Sequence, residues 1–305
     1  MARLNADTLV KTLTGAGALA VAALVIAMGA MLIGGASEAL QHFGPAFLTS
    51  SEWDPVKQHF GAVPSLVGTL VTATLSLLFA VPLALGIAVF LTELAPAWLV
   101  TPASLAVELM AAIPSIIYGM WGLFVLAPLL AESVLPPLQK ALDWLPFFQG
   151  APTGIGVLPA SFVLSLMVVP YIAAVARDLF GMVPSQLKEA ATGVGATRWE
   201  VVRYVVLPHT KLGLIGAVIL GLGRALGETM AVTFVIGNSH KLSSSLLAPG
   251  STIASTLANE FTEATDDLHL SALLALALVL YVLSVVILGL GRLLVVRTTQ
   301  QNART

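Results

Sequence analysis

The sequence predicts an all-α membrane protein with six transmembrane helices and both termini in the cytoplasm. Three observations predict it. Of the 305 residues, 57% are hydrophobic and only 10% are charged, with a mean hydropathy of +0.94. A soluble domain carries about 25% charged residues. Six runs are apolar over the ~20 residues that a helix needs to cross the hydrocarbon core. Once those runs are threaded through a bilayer, ten of the fourteen Lys and Arg fall on one side.

The runs follow in order. Residues 14–36 carry no charge, and their apolar part is longer than a signal-peptide core, so they read as a span and not as a cleaved leader. Residues 65–91 lie in an uncharged run between Lys57 and Glu93. Residues 101–131 are interrupted only by Glu108. Residues 153–176 are uncharged. Residues 212–237 contain only Arg224 and Glu228. Residues 270–291 are uncharged. The fifth run cannot be divided to avoid its charges, because each half is too short to cross; Arg224 and Glu228 are therefore expected within the span. Pro82, Pro114 and Pro170 fall inside runs, where they kink helices and free backbone carbonyls.

With the N-terminus inside, Arg3, Lys11, Arg177, Lys188, Arg198, Arg203, Lys211, Arg292, Arg297 and Arg304 are cytoplasmic, against Lys57, Lys140 and Lys241 outside. The expected organisation is a cytoplasmic N-terminus, 1–13, followed by one membrane domain, 14–305, with a long inner loop at 178–211. The outer loops are 37–64, 132–152 and 238–269. In the last of these, STIASTLANEFTEA reads as a short amphipathic helix on the outer surface.

The inner loop carries local signals of order. SQLKEAAT follows Pro184 and forms helix well, and Gly193 and Gly195 break it. Thr197 and Glu200 make a capping box that starts a second helix, which Pro208 is expected to end. The result is a helical hairpin on the cytoplasmic face.

Several chemistries are excluded. No Gly precedes a Lys, so no Walker A loop can cradle ATP phosphates. GLGRALG (221–227) has the wrong spacing for a dinucleotide fingerprint, and its Gly223-x-x-x-Gly227 reads as a small-residue packing face. There is no cysteine, and the histidines at 42, 59, 209, 240 and 269 lack metal-ligand spacing. Neither a metal, a cofactor nor an enzyme active site is expected.

Glu189-Ala190-Ala191, three residues, Gly195, nine residues and Val205-x-Leu207-Pro208 resemble the E-A-A-x3-G-x9-I-x-L-P motif of bacterial ABC importer permeases, with Val in place of the usual Ile. FGAVPSLVGTL, PLALGIAVFLTELAP, AAIPSIIYGMWGLF and GRALGETMAVTFVIGN are similar to the phosphate-specific permeases, of the PstC type more than the PstA type. The resemblance covers residues 55–300. It implies the type I ABC importer permease fold and a heteromeric inner-membrane complex. The other members would be a PstA-type permease, two PstB-type ATPases and a PstS-type periplasmic phosphate-binding protein, with inorganic phosphate as substrate. It also implies that Glu189, Ala190, Ala191, Gly195, Leu207 and Pro208 dock onto the ATPase.

Arg224 and Glu228 can pair at i, i+4. Intramembrane charges of this kind mark either a substrate path or a structural salt bridge, and the sequence leaves both open. The resemblance favours a phosphate role for Arg224, with Glu228 holding it, and Glu108 is a second candidate. Other classes consistent with composition are a stand-alone secondary transporter or channel, which leaves the docking hairpin unexplained, and a permease for molybdate or sulfate.

Overall fold

The computed structural model of the chain describes residues 6–302. Among these, six helical stretches can cross a membrane: Thr8–Gly35, Val63–Leu94, Ser115–Leu142, Val157–Gly181, Arg198–Leu226 and Asp267–Leu293. Arg3 and Arg304 lie outside the described residues, as does the side chain of Arg297. The first helix starts at Ala6, so residues 6–13 of the expected N-terminal segment are its first two turns.

The fourth span organises the bundle. Val163, Leu164, Val168, Val169 and Ile172 on it are all buried. The second span lies against it with Ser76, Ala80, Ala84 and Ala88, a four-residue repeat of small side chains that are each fully buried. Lipid tails are as apolar as Leu, so helices associate through close dispersion contact, and small residues permit that approach. The fifth span approaches from another side through Gly221, where a Cβ would sit 2.8 Å from Ile172. The expected Gly223/Gly227 face is half present. Gly223 does pack on Leu288 of the sixth span, but Gly227 lies beyond the helix end, with its own Gly223 carbonyl as the nearest atom at 3.9 Å. The first span is peripheral and packs on the sixth, where Tyr281 donates to the Val25 carbonyl at 2.9 Å.

Three expectations about where the membrane helices start and stop are corrected. The third crossing is Ser115–Leu142, not 101–131. Pro114 forces Ile113 into an extended conformation (ψ 126°), which cuts off Ala97–Ala112 as a separate helix. At 16 residues that helix is about 24 Å long, too short to cross. The span runs on past residue 131 because π turns at Gly122–Leu126 and Leu130–Val134 absorb the prolines that follow each of them.

Pro208 does not end its helix. The chain passes from Arg198–Val201 through a π turn, Val202–Val206, into Leu207–Leu226 without interruption. The Leu207 amide bonds back five residues to Val202, so Pro208 falls where its missing N–H is tolerated.

The fifth crossing is not one continuous helix through 237. It breaks at Gly227–Thr229 and resumes as a half-helix, Met230–Ile236, capped by Gly237 in the left-handed region (φ 90°).

The outer side is folded, not loose. A short helix, Ser37–Phe43, leads to a two-residue-strand hairpin pairing Trp53 with Phe60 and Asp54 with His59. The expected outer helix is Ile253–Glu260, but Ile253, Ala254, Ser255 and Thr256 are buried against the bundle instead of lying on the surface. Thr252 and Ser255 cap it reciprocally.

The charge bias makes the orientation testable in a chain without native cysteine. Single cysteines at the exposed positions Asp143 and Ser244 should react with an impermeant thiol reagent added to intact cells or spheroplasts. A cysteine at Val194, 87% exposed at the inner hairpin tip, should react only after the membrane is opened. Labelling of the Val194 variant from outside would reverse the orientation.

Candidate functional site

Arg224 stands in the last turn of the main helix of the fifth crossing, and Glu228 stands in the break that follows. Gly227 supplies the low helix propensity that lets the helix stop there. Arg224 Nη2 lies 3.1 Å from Glu228 Oε2. The other carboxylate oxygen accepts from the Ala231 amide in the first turn of the half-helix, at 3.4 Å. Glu228 therefore serves both ends of the break. It neutralises the guanidinium and takes up an amide that no intrahelical carbonyl reaches.

The guanidinium lies over the Tyr171 ring at 5.6 Å, a cation–π geometry. Tyr171 is the fifteenth residue of the 25-residue fourth span, so it sits about 21 Å from the span's outer start and about 15 Å from its inner end. The pair is at mid-membrane depth, as the sequence predicted, although at a helix break and not on a continuous helix face.

The two side chains differ in exposure. Glu228 is 3% exposed and Arg224 is 37% exposed. The Arg224 Nε is itself buried and has no hydrogen-bond partner in the protein, alone among buried side-chain nitrogens and oxygens of the described residues. A buried, unused donor beside an accessible guanidinium is costly unless something else accepts from it.

Glu108 does not join this site. It lies on the separate Ala97–Ala112 helix, its side chain is 55% exposed, and it pairs with Arg177 at 3.1 Å. Arg177 also contacts Asp178, near the inner end of the fourth span.

The inner loop folds as a hairpin. Its first helix is Ser185–Gly193, and the Thr197–Glu200 capping box opens the second. The Glu200 carboxylate accepts from the Thr197 amide at 2.8 Å and from its hydroxyl at 2.7 Å. Gly195 has φ 94° with open space around it, so the conformation and not crowding requires glycine there. Glu189 and Ala190 are exposed. Ala191 and Leu207 pack on an apolar cluster that includes Val89, Phe180, Val201 and Val206, and Pro208 is exposed on the first turn above it. The outward face carries Leu187, Val194, Trp199 and Tyr204, each at least 45% exposed. An apolar patch of this kind on a hairpin beyond the membrane end is suited to a protein partner.

A second charged cluster, which sequence reasoning missed, ties the outer side together. Glu260 accepts from Trp53 Nε1 at 2.8 Å and meets His240 Nε2 at 2.7 Å and His269 Nε2 at 3.0 Å. Burial alone would raise the Glu260 carboxyl, but the hydrogen bonds from His240, Trp53 and His269 outweigh it and hold it below its usual range. The first outer loop, the segment after the half-helix, the outer helix and the start of the sixth span all meet at this carboxylate. Its partners lie as far as 207 positions away in the chain, so no local signal announces them. Among the described residues no group of His, Cys, Asp and Glu is arranged to hold a metal.

A fold of this shape is found in two ABC importers. The chain matches a subunit of a bacterial alginate ABC transporter (TM-score 0.61, 17% identity, 95% of this chain and 96% of that one). It also matches one of the MetNI methionine ABC transporter (TM-score 0.57, 20% identity, 80% and 98%). Fold and crossings thus define a multi-pass helical membrane protein that shares the fold of those importer subunits. The model of the family described as "binding-protein-dependent transport system inner membrane component" matches residues 62–300, and the chain belongs to that family. It is 51% identical over 302 residues to the phosphate transport system permease protein PstC of Haemophilus influenzae, covering 98% of this chain and 96% of that one. It is 50% identical to the protein of the same name in Mesorhizobium japonicum (98% and 92%). An archaeal relative, the probable phosphate permease PstC of Methanocaldococcus jannaschii, is 37% identical over 83% of the chain.

The outer cluster yields a stability prediction. Glu260→Gln should lower the stability of the detergent-purified protein by about 1–2 kcal/mol, the low side of the range for bonds to a charged group because part of the cluster faces solvent. The folded pKa is depressed, so the carboxylate's contribution is full above the ordinary carboxylate range and is lost as pH falls through the folded value. Thermal unfolding should therefore show a gap between the two proteins at neutral pH that closes only in acid. No gap at neutral pH would mean that the carboxylate is not what holds the outer segments.

Proposed function

We propose that this chain is a PstC-type permease subunit of an ATP-driven inorganic phosphate importer, and that Arg224 meets the phosphate as it crosses. The observation that carries this reading is the mid-membrane guanidinium, partly open and with one unused donor, at a break in the fifth crossing. Guanidinium offers a planar fork that fits phosphate oxygens. Discontinuous helices with polar ends at mid-membrane are how transporters present donors to anions. Relatives named as phosphate permeases at 50–51% identity over nearly the whole chain support the choice of anion.

In this scheme Glu228 is the resting partner of Arg224. When phosphate arrives, its oxygens replace the carboxylate at the fork, and departure toward the cytoplasm restores the pair. The chain hydrolyses no ATP itself. Energy comes from two PstB-type ATPases, docked at the hairpin around Glu189 and Gly195 through its exposed Leu187, Val194, Trp199 and Tyr204. A PstA-type permease completes the pathway, and a PstS-type binding protein delivers phosphate to the outer face.

Radiolabelled phosphate uptake, in cells lacking other phosphate transporters, tests it. Arg224→Gln should reduce uptake by about 10- to 100-fold or more, the loss of a charge-assisted contact. Arg224→Lys should keep only part of the activity, because the charge stays but the fork is lost. If the pair were only structural, neutralising both residues would remove the unpaired-charge penalty. Recovery of uptake in the Arg224→Gln/Glu228→Gln double variant, with protein levels matched, would defeat the substrate role. Uptake of labelled sulfate or molybdate in place of labelled phosphate would change the anion.

A further inference from the structure

The inner end of the second span and the hairpin helix are joined by one ion pair that the scheme above does not use. Glu93 lies in a π turn, Phe90–Leu94, that closes the span. Lys188 lies in the hairpin helix Ser185–Gly193, immediately before Glu189. Lys188 Nζ is 2.5 Å from Glu93 Oε1, and the side chains are only 23% and 13% exposed. The same ammonium contacts the Phe180 carbonyl at 3.4 Å, at the inner end of the fourth span. One cation thus ties three elements together: the hairpin helix, the second span and the fourth span.

The position of this pair distinguishes it from an ordinary surface ion pair. Successive helix residues point about 100° apart. Glu189 is exposed, whereas its neighbour Lys188 turns inward to the bundle. Beneath the pair, the hairpin rests on apolar contacts among Val89, Phe180, Val183 and Val201. Such contacts hold surfaces together but have no direction, so they resist sliding weakly. A half-buried ion pair adds little net stability, because desolvation offsets its attraction, but it sets register and geometry. The second span it grips is the one that lies along the fourth through its small-residue stripe.

We infer that Glu93 and Lys188 are positioning residues for energy coupling: a strut that carries displacement of the hairpin helix into the second span. The inference rests on the permease reading above. The strut touches neither phosphate nor nucleotide. Without it, the hairpin can still seat on the ATPase, and hydrolysis continues, but the movement is lost in the apolar joint before it reaches the second span.

The test uses the assembled complex, purified and reconstituted into liposomes, and measures ATP hydrolysed per phosphate transported. Glu93→Gln and Lys188→Met should each keep assembly and hydrolysis within about twofold while the ratio rises by about 10-fold, and the charge-swapped Glu93→Lys/Lys188→Glu protein should bring the ratio back to within about threefold of wild type. An unchanged ratio in both single variants overturns the strut. So does parallel loss of hydrolysis and transport, which marks a contact needed only for folding or assembly, and so does a swap that stays uncoupled. A wild-type complex that does not link hydrolysis to phosphate movement would instead fault the permease reading.

Discussion

Inside a membrane, a backbone break must find its hydrogen-bond partners within the protein, because no water is there to supply them. The contact on which this chain's central site depends is Glu228, whose two carboxylate oxygens take the Arg224 guanidinium and the Ala231 amide. Without that bridge, a cation and a first-turn amide would both be left in a low-dielectric interior, each at a cost of a few kcal/mol. With it, the fifth crossing can stop, place a charged group beside Tyr171 and restart toward the outer face. The surrounding packing follows from keeping that geometry. Gly221 brings the fifth helix against Ile172, and Gly119 and Gly122 of the third span leave room for the half-helix residues Ala231 and Val235.

The two ends of the molecule are built differently around this centre. The outer side is gathered by Glu260, which collects donors from three other segments. The inner side presents a hairpin whose inward face is fastened by Lys188 and whose outward face is apolar and open. The Arg224–Glu228 pair in the middle and the ion pair inside lie on the stack of second, fourth and fifth spans and the hairpin, whereas the carboxylate clasp outside gathers the outer segments and the start of the sixth span. Movement at one end thus has a continuous solid path to the middle.

What the sequence made legible was what is local or imposed by the bilayer. Uncharged length located the crossings, because a spanning helix needs it. Pro184, the Thr197–Glu200 box and Gly195 each act within four residues, and the hairpin folds as they dictate. The misreadings share a cause. Uncharged length cannot say on which side of Pro114 the third crossing lies. Pro208 reads as a stop until the π turn at Val202–Val206 is seen to accommodate it. Gly227 reads as a packing surface until the helix is seen to stop there, with Glu228 reaching across the break to the Ala231 amide. Glu93 with Lys188, and Glu260 with Trp53, are paired across 95 and 207 positions, and nothing in one sequence joins them.

The central claim is that phosphate takes the place of Glu228 at Arg224. It is tested most directly by structures of the complete complex arrested with ATP on a hydrolysis-deficient ATPase, with and without phosphate. The account predicts that, with phosphate, an oxygen of the anion lies within hydrogen-bond reach of the Arg224 guanidinium, and the 3.1 Å contact to Glu228 opens. Phosphate held elsewhere in the pathway, with the Arg224–Glu228 contact unchanged, would contradict it.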